Sequence, residues 1–209
     1  MQCIQSIICF NGGSAGDFLA GMCSEQLLGE STYQIRANGL AQLSSTFKSV
    51  TKANYYSNSV PTDLSCTLPV ENTHFYLDYY PRIAHKLFYI DYPDDMARDI
   101  AEIFMIKRFA NDRTALANFI KESYTEPMRS KITADNIIDV CKINWTKNVK
   151  SWRANDLLAP LYLGDYFDRN TFYQMVETVC QNKIKNYNAL AAGYDEWISK
   201  NDQLRQLFL

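Results

Sequence analysis

Glycine and proline are scarce in this 209-residue chain, with 8 and 6 copies, which excludes a collagen-like, linker-like or low-complexity polymer. Histidine occurs only at His74 and His85, and there is no CxxC pair and no tight Cys/His cluster, so neither a structural zinc nor any other metal is expected. No run of about 18 apolar residues exists, so no membrane-spanning helix is expected. Positive charge is not in surplus either: 21 basic residues against 23 acidic ones give a net charge of −2. Non-specific binding to nucleic acid or an anionic membrane therefore lacks its driving force. The six cysteines, Cys3, Cys9, Cys23, Cys66, Cys141 and Cys180, are widely spaced, and those with apolar neighbours read as buried thiols of a reducing compartment. The opening MQCIQSIICFNGG has no basic n-region and runs into glycines rather than a cleavage site, so it reads as a first strand of a cytoplasmic protein.

What the chain does have is rings: 14 Tyr and 11 Phe within a composition that is 47% apolar. Such a chain can close a core without disulfides, and residues 1–209 are expected to form a single domain. Ile4 to Phe10 is a short β-branched run that stops at Asn11-Gly12-Gly13, and Asp17 to Leu28 follows with helical spacing and Gly29 as its stop. Residues 70–77 and 86–91 read as strands. Pro93, Asp94 and Asp95 suit the start of a helix over 94–109. A further helix is expected over 112–123, a strand over 136–143, and helices over 153–162, 169–191 and 194–207. Strands alternating with helices predict an α/β three-layer sandwich with a mostly parallel central sheet and a helical C-terminal part.

Two segments carry chemistry. The loop Gly12-Gly13-Ser14-Ala15-Gly16-Asp17, between a strand and a helix, can turn backbone N–H groups inward and place the helix dipole behind them, which is how proteins hold a phosphate or sulfate. The Walker A pattern GxxxxGK[ST] is not met: Gly12 to Gly16 is one residue short, and Asp17 stands where a lysine is needed. The loop can equally be a tight turn in which Asp17 caps the helix. The second segment is Asn72-Thr73-His74, followed by the run from Lys86 to Ala97. A neutral imidazole at His74 can act as a general base near pH 7. In isolation it can as well be an ordinary surface or core histidine.

Taken in order, these segments resemble the sulfotransferase family, of the short type found in phage and bacteria. The resemblance rests on Ser14-Ala15-Gly16-Asp17-Phe18 for the phosphosulfate loop (typically K-S-G-T-T) and Thr73-His74 for the pair with the catalytic histidine. For the 3′-phosphate segment K-x-I-Y-x-x-R-N-P-x-D-x-A-x-S, it rests on Lys86, Tyr89, Pro93, Asp95 and Ala97. The closing stretch with Tyr187, Tyr194, Trp197 and Asn201 is similar to the helical ends of such proteins. The resemblance implies a P-loop-like fold and the donor 3′-phosphoadenosine 5′-phosphosulfate bound over Gly12 to Asp17. It also implies His74 as catalytic base toward a hydroxyl-bearing small molecule in a cleft with Tyr76, Tyr79 and Tyr80. The departures fall on charge. The loop lysine is Ser14, a loop hydroxyl is Asp17, the family arginine is Tyr92, the asparagine after it is deleted, and the serine is Asp99. Lys86, Arg82, Arg98 and Arg36 are the cations that could substitute. If none does, the alternative expectation is an inactive member of the fold that binds a partner protein or another nucleotide through its loop face.

Two minor patterns complete the reading. Lys142, Lys147, Lys150 and Arg153 interleave with Trp145 and Trp152 as in a single-strand nucleic-acid patch, but a solvated basic face fits the net charge better. Asp94 and Asp95 could ligate a metal, yet their place at a helix start accounts for them.

Overall fold

The structure, a computed structural model, describes residues 4–29, 31, 33–43, 70–73, 84–122 and 126–209. Strand β1 (Ile4–Cys9) is the hub of the fold. Ile7, Ile8 and Cys9 are fully buried, as a continuous apolar run must be when both faces of a parallel strand are covered. Beside β1 on one side lies β4 (Val70–Thr73), and on the other β5 (Ala84–Asp91). Beyond β5 lies β6 (Leu158–Tyr162), giving the order β4-β1-β5-β6 with every pairing parallel. A separate antiparallel ribbon joins β2 (Tyr33–Ile35) to β3 (Ala41–Leu43).

Two helical groups cover the strands. Helix α1 (Gly16–Leu28) packs with α6 (Arg169–Cys180) and α7 (Tyr187–Ser199), and its Gly21 lets the Tyr33 ring of β2 approach where a Cβ would stand 2.8 Å from that side chain. Helix α2 (Ala97–Phe109), entered through a 3-10 turn at Asp94–Met96, packs with α3 (Arg113–Lys121) and α5 (Ile137–Arg153). A short helix α4 (Glu126–Arg129), a 3-10 segment at Leu163–Phe167 and a terminal α8 (Asp202–Gln206) complete the described elements. The expected mixed α/β architecture with a parallel sheet is thus present.

Four expectations are corrected, the first being the single terminal helix over 194–207: its residues up to Ser199 belong to α7, and after Lys200 and Asn201 the separate helix α8 begins at Asp202. Residues 136–143 are not a strand but the first half of α5, whose buried positions Ile137, Ile138, Cys141, Trp145, Val149 and Trp152 continue at helical spacing well past 143. Residues 153–162 are not a helix: α5 ends at Arg153, and 158–162 form the edge strand β6. Residues 169–191 do not form one helix. Gln181 takes a left-handed conformation (φ 52°) after α6, and Asn186 restarts the chain by accepting the Ala189 N–H at 3.0 Å as the cap of α7.

Candidate anion-binding site

From β1 the ordered strands diverge, β4 to one side and β5 to the other, so the strand order reverses between β1 and β5. In open parallel sheets the crevice beyond the carboxyl ends of such strands is where ligands collect. The segments that leave β1 and β5 at this point are Asn11–Ala15 and Tyr92–Asp94.

The first is a built turn. Ser14 donates twice to the Asn11 carbonyl, from its backbone N–H at 3.1 Å and from its hydroxyl at 2.7 Å. Gly13 sits between them at φ 85°, and a Cβ there would meet the Ile100 carbonyl at 2.8 Å, so both conformation and space require glycine. Ala15 follows at φ 60° and is the N-cap of α1, without a side chain capping the helix. Positive φ at Gly13 and Ala15 on either side of Ser14 is the alternation that directs successive N–H groups into one concavity. The thirteen-residue α1 adds roughly half a positive charge there. Asp17 lies in the first turn of α1, so the reading in which it caps the helix is replaced by Ala15 in that position. The Ser14 side chain is buried, and both its hydroxyl and its backbone N–H are committed to the Asn11 carbonyl, so neither is left for a ligand.

Asn11 ties the two segments together. Its buried Nδ2 donates to the Tyr92 hydroxyl at 2.7 Å and to the Trp145 carbonyl at 3.2 Å, while its Oδ1 accepts from Asn148 Nδ2 at 2.9 Å. Tyr92, which stands at the resembling family's arginine position, is 2% exposed and turned inward, and burial pushes its phenol above the ordinary range. Below it Arg153 forks across the end of β5. Its Nε and Nη2 donate to Asp91 Oδ1 at 2.9 and 2.7 Å, Nη2 also to the Tyr92 carbonyl at 2.7 Å, and Nη1 to Asp94 Oδ1 at 2.6 Å. Lys150 reaches Asp94 Oδ2 at 3.2 Å. Hydrogen bonding to Asp91 holds the guanidinium more firmly protonated than usual. Burial pushes the Asp94 carboxyl up, but hydrogen bonds from Arg153 and Lys150 outweigh it and hold that carboxyl below its usual range. This network accounts for Asp94 by ion pairing and consumes Lys150 and Arg153 of the basic series; Trp145 and Trp152 are buried in the core, leaving Lys142 and Lys147 as a solvated face.

The structure therefore brings Gly12, Gly13, Ser14, Ala15, Gly16 and Asp17 together at the β1 end. His74, Tyr76, Tyr79, Tyr80 and Arg82 lie outside the described residues. Of the substitute cations, Arg98 pairs with Glu102 and Asp139, and Arg36 bonds Gln42. Lys86 sits opposite Ser6, three residues and so about 10 Å short of the end of β1, with the loop farther on still. Sequence reasoning placed Asn11 at the end of the first strand without giving it a role, and missed Asn148 and the clamp by Arg153. The one legible signal was an asparagine closing an apolar strand, since a polar residue in that place needs buried partners. Comparison with family models, with curated proteins and with solved structures found no match.

Proposed function

We propose that this chain is a sulfotransferase-like three-layer α/β domain. Its loop Gly12–Asp17 holds the phosphosulfate end of 3′-phosphoadenosine 5′-phosphosulfate, and His74 accepts the proton of a hydroxyl acceptor. One observation carries the reading: a helix N-terminus without a side-chain cap, led in by alternating backbone at Gly13 and Ala15, opens at the point where the strand order reverses. In the reaction the acceptor oxygen attacks sulfur, its proton passes to the imidazole, and the bridging oxygen departs with 3′-phosphoadenosine 5′-phosphate. Charge building on that leaving group would be met by the loop N–H groups and the α1 dipole.

Isothermal titration with 3′-phosphoadenosine 5′-phosphate tests it: heat saturating at or below millimolar ligand is expected, and no heat at that concentration sinks the reading. His74→Ala should retain this binding and lose roughly 10²–10⁴-fold in turnover.

A second reading has its own observation. Arg153 and Lys150 are neutralised by Asp91 and Asp94, and Tyr92 is turned into the core, so the β5 end lacks a free cation for a 3′-phosphate among the side chains described there. On this reading the fold has lost its donor and the loop face meets a partner protein. Capture of a partner by the intact chain together with silence in the titration favours it; donor binding counts against it.

A further inference from the structure

We propose that Cys23 and Cys180 are a latent disulfide pair, two reduced cysteines on adjoining helices that a peroxide joins into a bond between α1 and α6. Cys23 lies in the middle of α1 and Cys180 is the last residue of α6. The Cys180 thiol donates to the Cys23 carbonyl at 3.4 Å, which sets its sulfur against the Cys23 residue. Both are reduced and buried, at 0% and 3% exposure. The helices that carry them are fixed against each other by Phe18 of α1, stacked on Phe172 of α6 with ring centroids 5.5 Å apart and planes 12° from parallel. The bond proposed therefore joins two helices that are already packed together.

Access comes from the far side of Cys180. The chain leaves α6 through Gln181 at φ 52°, and residues 181–183 are exposed. Glu177 holds this turn closed, pairing with Lys183 at 2.7 Å and accepting the Ile184 N–H at 3.3 Å. Burial pushes the Cys23 thiol well up, so the closed protein keeps it unreactive, and oxidation follows opening of the turn. In the opened state the Cys180 thiolate attacks one peroxide oxygen, breaking the O–O bond and giving a sulfenic acid and hydroxide. The Cys23 sulfur then attacks the Cys180 sulfur and displaces the hydroxyl, which leaves as water. In sum two thiols and one hydrogen peroxide give one disulfide and two waters: both sulfurs are oxidised and the peroxide is reduced. The bond would tie the helix that starts at the candidate loop to the C-terminal part of the fold. The inference rests on the packing of α1 against α6, independently of any donor.

The test uses the intact chain treated with hydrogen peroxide, alkylated, and digested without reductant by a protease that cuts after acidic residues. Peptides 18–25 and 178–195 then carry Cys23 and Cys180 as their only cysteines. The expected result is one species joining these two peptides, two hydrogens lighter than their sum and separated by reductant. Glu177→Ala, which frees the turn and also removes the cleavage after residue 177 so that the Cys180 peptide becomes 169–195, should raise the rate of formation of the corresponding linked species several-fold. Recovery of the two peptides unjoined, with their cysteines either intact or overoxidised, overturns the proposal, as does a dominant link from Cys23 or Cys180 to another cysteine.

Discussion

Asn11 shows how much of the candidate site rests on single polar side chains in dry surroundings. Its amide makes contacts to Tyr92, Trp145 and Asn148, and its carbonyl receives Ser14 twice, so one residue fixes both the turn after β1 and the segment after β5. Asn11→Ala keeps the backbone carbonyl but leaves the Tyr92 hydroxyl, the Trp145 carbonyl and the Asn148 amide each short of a partner. Burying unsatisfied groups costs more than a hydrogen bond contributes when made, so a loss of about 2–3 kcal/mol is expected. Urea unfolding of the variant against the parent measures it, and an unchanged midpoint would show that water takes over these partners. At this scale the glycines were legible, because Gly12, Gly13 and Gly16 punctuate a strand-to-helix junction. The partners were not. Asn148 lies 137 residues from Asn11 and Arg153 lies 62 from Asp91, and a single polar pair at such separation leaves no periodic trace in sequence.

Elements were legible where a whole period fell within the stretch considered. β1, α1, β5 and α2 have their apolar positions crowded into a short run with clear stops, and they appear close to where the pattern places them. α5 and β6 exchanged types because each mimics the other over eight or ten residues. The β-branched cluster Ile137, Ile138 and Val140 resembles a strand until Cys141, Trp145, Val149 and Trp152 extend the face of Ile137 at spacings of four, four, four and three. β6 buries only Leu158 and Leu161, three apart, and that is helical spacing. As the edge strand among the described residues it also carries Pro160, whose missing N–H is tolerated where one side of the strand has no described neighbour. The break between α6 and α7 depends on a cap. Asn186 bonds the Ala189 N–H with its side chain, and its backbone exchanges two hydrogen bonds with the Gln26 amide, at 3.0 and 3.3 Å. Asn186→Ala removes only the side-chain cap and should cost about 1 kcal/mol, with Asn186→Ser recovering most of it. Thermal melts of the two variants decide this: equal losses in both would mean that the cap is not the source.

For the molecule as a whole, the surplus of aromatic residues turns out to join the C-terminal part of the chain to α1. Phe18 is sandwiched by Phe172 on one side and by Trp197 on the other, the latter at 4.5 Å with planes 6° from parallel. Tyr166 lies against both Phe172 and Trp197, and Phe167 carries the contact on to Phe208 near the end of the chain. Many rings that composition alone could place in either a core or a cleft are thus core, and they make the stability of α1 depend on α7, more than 150 residues later. This coupling bears on the candidate site, because the helix whose N-terminus would hold an anion is positioned by residues remote from it. Trp197→Ala removes the largest fully buried side chain among the described residues and leaves a cavity against Phe18, for which a loss of about 3–5 kcal/mol is expected. Hydrogen exchange distinguishes how that loss is distributed. If α1, α6 and α7 form one cooperative unit, amides of Leu19 to Cys23 and of Val176 to Cys180 lose protection in step with those of α7. Loss confined to α7 and α8, with α1 still protected, would show that the strands alone hold α1 in place and that the aromatic stack is local.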